Sequence, residues 1–260
     1  MRQIQVLEST ILHASDQIFW LDGSSAADIS AMRRVARPLQ LELSQSPRDL
    51  AMREGTGKCV FWRRAGASVS DGVADDSDKA FTTAGTYTLA GTVSDPGGHY
   101  LPRRFSVTAG NNPPTGHALT LYPAPVAVRF NRGGGLRLSL GRAADATPLP
   151  WAIVTASISV PGLGTQIYRA QADARGELLL PFLRLPPLAE GIDDYSATLT
   201  IHGRNDTSAD QISNPDDFIA MELGAPDDAS FSQSIGFSAV PGELSTLRSD
   251  GRTYLAVQPV

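Results

Sequence analysis

The chain contains 260 residues, of which 42% are hydrophobic and 19% are charged, a composition that excludes a disordered protein. The formal net charge is -5, so the overall charge gives no indication of binding to nucleic acid or to an anionic membrane. Cys59 is the only cysteine, which excludes an internal disulfide. No run of about 18 apolar residues is present to cross the membrane as a helix.

Glycine and proline are abundant, at 24 and 18 residues, and they predict many turns between short strands. Residues 1–12 alternate as a short strand does and lack the apolar core of a signal peptide. We therefore expect the protein in the cytoplasm, or in a particle that is assembled there and released by lysis.

One short helix is predicted near the N-terminus, over residues 26–36, with Ser24 or Ser25 as its cap. Its apolar residues recur at the spacing of one helix face: Ile29, Met32, Val35 and Ala36. Arg37-Pro38 ends the pattern, because the residue before a proline avoids the helical conformation.

Beyond this helix the apolar residues alternate with polar ones, as they do in half-buried strands. Residues 39–44, 59–62, 85–93 and 100–107 are predicted strands in the first half of the chain. The second half continues in the same way, with strands separated by turn signals at intervals of about ten residues.

The clearest linker is Asn111-Asn112-Pro113-Pro114-Thr115-Gly116, which its two prolines stiffen. We therefore predict an all-β protein of two β-sandwich domains, immunoglobulin-like or transthyretin-like, with one short N-terminal helix. The N-terminal domain is assigned to residues 1–110, the linker to 111–116 and the C-terminal domain to 117–260.

The C-terminal half contains a strand of small alternating residues, a turn from Asp173 to Gly176, and a strand that begins at Tyr195. The matching positions are Asp173, Gly176, Leu178, Leu180, Tyr195 and Leu199. Residues 151–203 thereby resemble the carboxypeptidase regulatory-like, transthyretin-like modules, and residues 85–107 resemble them more loosely. Independently of that resemblance, the turn predicts a tight hairpin in which Gly176 supplies a positive φ. The resemblance implies modules without catalytic residues, which act as spacers, stabilisers or binding platforms.

Candidate catalytic groups are few. Cys59 and His99 are the components of a thiol catalyst, but Cys59 stands in an apolar run that favours a buried, unreactive thiol. The four histidines lie far apart, without metal-ligand spacing. A third hypothesis is an all-β hydrolase, such as a glycosidase, with two catalytic carboxylates. The sequence does not test it, because it does not reveal the distance between two carboxylates. No cofactor is predicted.

Two loops concentrate acidic residues. The first contains the candidate calcium ligands Asp71, Asp75, Asp76 and Asp78. The second spans residues 204–217. Neither follows the spacing of an EF-hand loop, so a solvated charged loop is favoured over a calcium site.

Two arginine pairs, Arg63-Arg64 and Arg103-Arg104, are the candidate interaction residues, because arginine forms bidentate contacts with carboxylates of a partner. We therefore expect a non-enzymatic structural or adaptor subunit of a multi-protein assembly, such as a phage-tail-like or contractile injection particle, with other protein subunits as partners. The alternative is a glycan- or receptor-binding module, which predicts exposed aromatic rings among Trp20, Trp62, Tyr100 and Tyr122.

Overall fold

The computed structural model describes residues 16–48, 50–63, 86–110 and 116–260. The regular secondary structure of these residues is almost entirely β-strand, which confirms the predicted all-β class. The strands form three sheets, of four, three and ten strands. Their buried side chains gather into two large hydrophobic cores and one small cluster.

The first core lies between the four-stranded and the three-stranded sheet. The strand order is β3-β4-β1-β7 in one sheet and β2-β5-β6 in the other. The bounds are β1 Asp16–Asp22, β2 Gln40–Gln45, β3 Leu50–Gly55, β4 Lys58–Arg63, β5 Tyr87–Ser94, β6 Arg103–Ala109 and β7 His117–Leu121. Period-two burial along β5 and β6 places one face of each strand in this core. We call β1–β7 the first unit.

Strand β7 differs from the predicted division of the chain. The prediction assigned residues from 117 onward to the second domain, yet β7 pairs in parallel with β1 from Ile18 opposite His117 to Asp22 opposite Leu121. Leu119 and Leu121 are buried in the first core. The first unit therefore extends to Leu121, because β7 buries its apolar face there. The predicted linker residues 111–115 lie outside the described residues.

The ten-stranded sheet surrounds the second core. Its main path is β10-β9-β12-β13-β17-β8-β11, with β14, β15 and β16 attached to β13, β12 and β8. The bounds are β8 Gly135–Arg142, β9 Ile153–Val160, β10 Gly164–Gln171, β11 Glu177–Pro181, β12 Tyr195–Gly203, β13 Ile219–Gly224, β14 Phe231–Ser232, β15 Ser234–Ala239, β16 Leu244–Thr246 and β17 Leu255–Pro259. All of its larger strands contribute to one core. We call β8–β17 the second unit.

The predicted helix over residues 26–36 is wrong. The segment contains only a three-residue 3-10 helix, Ile29–Ala31, capped by the Asp28 carboxylate. Side chains compete for the backbone here: the Ser25 hydroxyl accepts a hydrogen bond from the Arg33 amide at 2.9 Å. Of the predicted apolar face, only Val35 is buried.

The other described helices, Pro125–Ala127 and Pro215–Asp217, are also 3-10 turns of three residues. No helix in the described ranges is long and apolar enough to cross a membrane.

The two units meet at a junction formed by several elements. Leu101, Ala124 and Trp151 are buried together in a small cluster between the cores. The Leu101 amide donates to the Tyr122 carbonyl at 2.9 Å, and the Ala124 amide donates to the His99 carbonyl at 2.8 Å. These main-chain hydrogen bonds tie the segment that follows β7 to the first unit, and the apolar cluster brings Trp151 of the second unit into contact with both.

Candidate interaction surface

Arg103, which the sequence analysis named as a candidate interaction residue, is an internal group of the junction. It starts β6 on the core face and is only 2% exposed. Its Nη1 donates to the Thr120 carbonyl at 2.9 Å, and its Nη2 lies 2.6 Å from Asp216 Oδ2. Thr120 belongs to the opposite sheet and Asp216 to the second unit, so Arg103 joins three elements. Its buried guanidinium is not available to an external partner, contrary to the prediction.

Arg104 has a different environment. Its side chain is exposed, and its amide donates to the Ser213 carbonyl of the second unit at 3.1 Å. It lines a polar cleft of about 350 Å³ between β6 and the 204–217 loop. Of the other predicted pair, Arg63 is the last residue of β4 and Arg64 lies outside the described residues.

Three charged residues of the acidic 204–217 loop form ion pairs within the protein. Arg204 and Asp206 form an ion pair through two hydrogen bonds, and Asp216 binds Arg103. Among the described residues, no group of three histidine, cysteine, aspartate or glutamate side chains is placed to hold a metal ion. The calcium candidates Asp71, Asp75, Asp76 and Asp78 lie outside the described residues.

The cleft also contains two acids, Asp206 and Asp217. The Arg204 guanidinium holds the pKa of Asp206 below its ordinary value, through a hydrogen bond and its charge. A glycosidase general acid requires a raised pKa. The environment of Asp206 is therefore the opposite of the one that a general acid needs.

Cys59 is buried in the first core. Burial, with a smaller contribution from the Glu54 charge, raises the pKa of its thiol to about 12. At neutral pH the thiol is therefore protonated, whereas a nucleophilic cysteine requires the thiolate.

Of the four aromatic residues proposed for ligand binding, two are buried and two, Trp62 and Tyr100, are half-buried. Trp20 and Tyr122 are buried, and the Trp20 ring packs edge-on against Phe105 at a centroid distance of 5.6 Å. The Tyr100 hydroxyl donates to the Asp22 carboxylate at 3.2 Å. These three rings therefore do not form an exposed platform for a sugar.

The turn at Asp173 and Gly176 connects two edges of the sheet. The Asp173 carboxylate accepts hydrogen bonds from the amides of Arg175 and Glu177, at 2.8 and 3.1 Å. Gly176 has a φ of +75°, which favours glycine. However, β10 pairs with β9 and β11 pairs with β8, so the turn crosses between strands that do not form the predicted hairpin.

An apolar depression lies on the outer side of β8 and β11, and its volume is about 580 Å³. Its apolar lining includes Val126, which is 75% exposed, and Leu244, which is 53% exposed. Phe130 and Leu179 line it as well. We call this surface the Val126–Leu244 depression.

Strand geometry explains why apolar groups occur on this outer face. Leu178, Leu179 and Leu180 are consecutive in β11, and neighbouring side chains of a strand point to opposite faces. Leu178 and Leu180 are buried in the second core, so Leu179 faces outward. Gly135 lets the Phe130 ring lie against β8, because a Cβ there would lie 2.6 Å from Cε1 of that ring.

Charged side chains of both signs surround the depression. Arg137, Arg175, Asp173 and Glu177 contribute to its lining. The Ser139 hydroxyl donates to Glu177 Oε1 at 2.7 Å and fixes that carboxylate on the outer face. An apolar centre with a charged rim is the usual composition of a protein interface.

Comparison with protein-family models, curated proteins and solved structures finds no match to this chain. The resemblance of residues 151–203 to carboxypeptidase regulatory-like modules therefore stays a prediction.

Proposed function

We propose that the protein is a non-enzymatic structural or adaptor subunit of a multi-protein assembly, and that the Val126–Leu244 depression contacts another subunit. The observation that carries this proposal is the exposure of two large apolar side chains, Val126 and Leu244, at 75% and 53%, beside one depression. Exposed apolar side chains within a charged rim mark binding surfaces.

The junction supports the same role. An adaptor transmits position between its partners, so its parts must keep a fixed arrangement. The buried Arg103, which binds Thr120 and Asp216, links both sheets of the first unit to the second unit. Arg169 Nη1 adds a second link by donating to the Ala27 carbonyl at 2.7 Å.

We place this assembly in the cytoplasm or in a particle assembled there, of which a phage-tail-like or contractile injection particle is the most specific version. The single free cysteine is compatible with a reducing compartment. β-Sandwich modules suit such particles because they are rigid spacers whose outer faces and loops are available to neighbours.

The test is native mass spectrometry of the protein produced alone and together with the products of its neighbouring genes. We expect a discrete complex in the second case. The double variant Val126→Ser/Leu244→Ser should lose that complex, whereas Ile219→Ser, at a position 59% exposed elsewhere on the second unit, should retain it. A monomer in both preparations would contradict the proposal.

A second candidate function is binding of a small polar ligand such as a glycan. The polar cleft favours it, because Gln45, Gln211, Asn214 and Asp217 line one concave surface, and amides and carboxylates form hydrogen bonds with hydroxyl groups. A glycan array tests it: binding that is lost in Gln211→Ala supports this function, and no binding to any glycan on the array contradicts it.

A further inference from the structure

Strand β10 is an edge of the ten-stranded sheet, and one side of it has no partner in the described part of the chain. It pairs with β9 through eight consecutive positions, from Gly164 opposite Val160 to Gln171 opposite Ile153, without a bulge. A long regular edge exposes main-chain donors and acceptors that can extend the sheet.

The direction of these groups follows from the ladder. The Ala172 amide donates to the Ala152 carbonyl at 2.8 Å, which continues the β9–β10 register by one pair. Hydrogen-bonded pairs alternate in an antiparallel ladder, so the even-numbered residues of β10 bond to β9. The N–H and C=O groups of Thr165, Ile167 and Arg169 therefore point away from β9.

The opposite edge of the sheet, β11, is protected in a way that β10 is not. The same alternation leaves Glu177, Leu179 and Pro181 pointing outward, since the Phe182 amide bonds to the Gly134 carbonyl. The Glu177 amide donates to the Asp173 carboxylate, and the Glu177 carbonyl accepts from the Asp173 amide. Pro181 has no N–H to donate. Among these three residues, only Leu179 therefore has both its N–H and its C=O available to another strand.

We propose that β10 pairs antiparallel with β10 of a second copy of this chain, about a two-fold axis at Ile167. This register is self-complementary. The outward groups of Ile167 bond to those of Ile167 in the second copy, and the outward groups of Thr165 bond to those of Arg169. A two-fold interface uses the same surface on both copies, as this pairing does.

The side chains suit this register. Tyr168 and Ala170 belong to the core, so Thr165, Ile167 and Arg169 occupy the outer face. In this register, Ile167 lies opposite Ile167 of the second copy and Thr165 lies opposite Arg169. No two side chains of like charge face each other in these pairs. Arg169 Nη1 donates to the Ala27 carbonyl, and a guanidinium carries further N–H donors that suit a cross-strand partner.

The Thr165–Arg169 pairing provides the test. Thr165→Glu places a carboxylate opposite Arg169 of the second copy, and Thr165→Lys places a second cation there. Analytical ultracentrifugation of the purified protein at low ionic strength should show a dimer whose dissociation constant falls with Thr165→Glu and rises with Thr165→Lys. Each change should be about twofold to thirtyfold, because two such pairs form per dimer.

Thr198 gives a matched control. It is exposed on β12, which lies between β9 and β15 in the same sheet. Thr198→Glu and Thr198→Lys should leave the dissociation constant unchanged. A monomer at every attainable concentration overturns the proposal, and so does a dimer whose dissociation constant is the same in both Thr165 variants. The experiment uses this protein alone, so its result is independent of the proposed contact with other subunits.

Discussion

The junction and the Val126–Leu244 depression differ in the exposure of their main side chains. At the junction, Arg103 is buried and its guanidinium is bound by Thr120 and Asp216 of two other elements. At the depression, Val126 and Leu244 remain in solvent, within a rim of charges. A buried charge needs its partner to stay paired for the fold to be stable, whereas an exposed apolar group is available for binding.

This contrast separates two kinds of variant. Substitutions that leave a junction charge unpaired should lower the free energy of unfolding, and substitutions of the exposed apolar residues of the depression should change binding to a partner. The variants below test that separation.

The largest effect is expected for Asp216→Asn. This change removes the anion that compensates a buried cation, and an uncompensated buried charge is costly. Because Asp216 itself is half-exposed, we expect a loss of about 2–4 kcal/mol in the free energy of unfolding by urea. Asp217→Asn is the control, at the adjacent acid, and should change it by less than about 0.5 kcal/mol. Equal effects of the two variants would contradict the assigned role of Asp216.

Gly135→Ala tests the packing of the Phe130 ring against β8. The added methyl group would lie 2.4 Å from the Leu180 carbonyl oxygen and 2.6 Å from Phe130 Cε1, so the backbone or the ring must shift. We expect a loss of about 1–3 kcal/mol in the free energy of unfolding. Gly236→Ala, where a Cβ meets no atom within 4 Å, should be close to neutral in the same urea titration. If Gly135→Ala has the same free energy of unfolding as the parent protein, Phe130 does not pack against Gly135 as described.

Arg103→Met should cost less than Asp216→Asn, although it removes the central residue of the junction. Methionine fills a similar volume without a charge, and the remaining Asp216 carboxylate is half-exposed and becomes solvated. Replacing a buried ion pair by an apolar group is often nearly neutral, so we expect a change within about 1 kcal/mol. Thermal and urea unfolding of both variants show which one loses more stability. A larger loss for Arg103→Met than for Asp216→Asn would contradict the buried-charge explanation.

The smallest effect on stability is expected for Val126→Ser/Leu244→Ser. Both side chains are largely in solvent in the free protein, so the free energy of unfolding should change by less than about 0.5 kcal/mol per substitution. The same variant should abolish the complex with a partner subunit. A large loss of stability would instead place these side chains in the core and remove the basis of the proposed interface.

The sequence predicted the strands well because period-two burial is a local signal. The alternation along residues 85–93 and 100–107 corresponds to β5 and β6. The predicted helix over residues 26–36 failed because the Asp28 carboxylate and the Ser25 hydroxyl bind nearby main-chain amides and favour turns. Periodicity alone did not reveal that competition.

The site was harder to predict because it depends on contacts between distant residues. Period-two alternation placed Arg103 on the strand face of Leu101 and Phe105 and Arg104 on the other face. No local signal indicated that Asp216, 113 residues away along the chain, pairs with the buried Arg103. A signal for the depression did exist in Leu178-Leu179-Leu180, since three consecutive leucines in a strand cannot all face one core. The contribution of Val126 and Leu244 depended on tertiary packing.

The most direct test of the proposed function is hydrogen–deuterium exchange of the protein, alone and in its complex with the partner subunit. We predict that binding slows exchange in residues 125–130, 177–181 and 243–246, which border the depression. Exchange in residues 204–217 at the junction should stay the same. Protection confined to the junction loop or to the first unit would contradict the assignment of the depression as the interface.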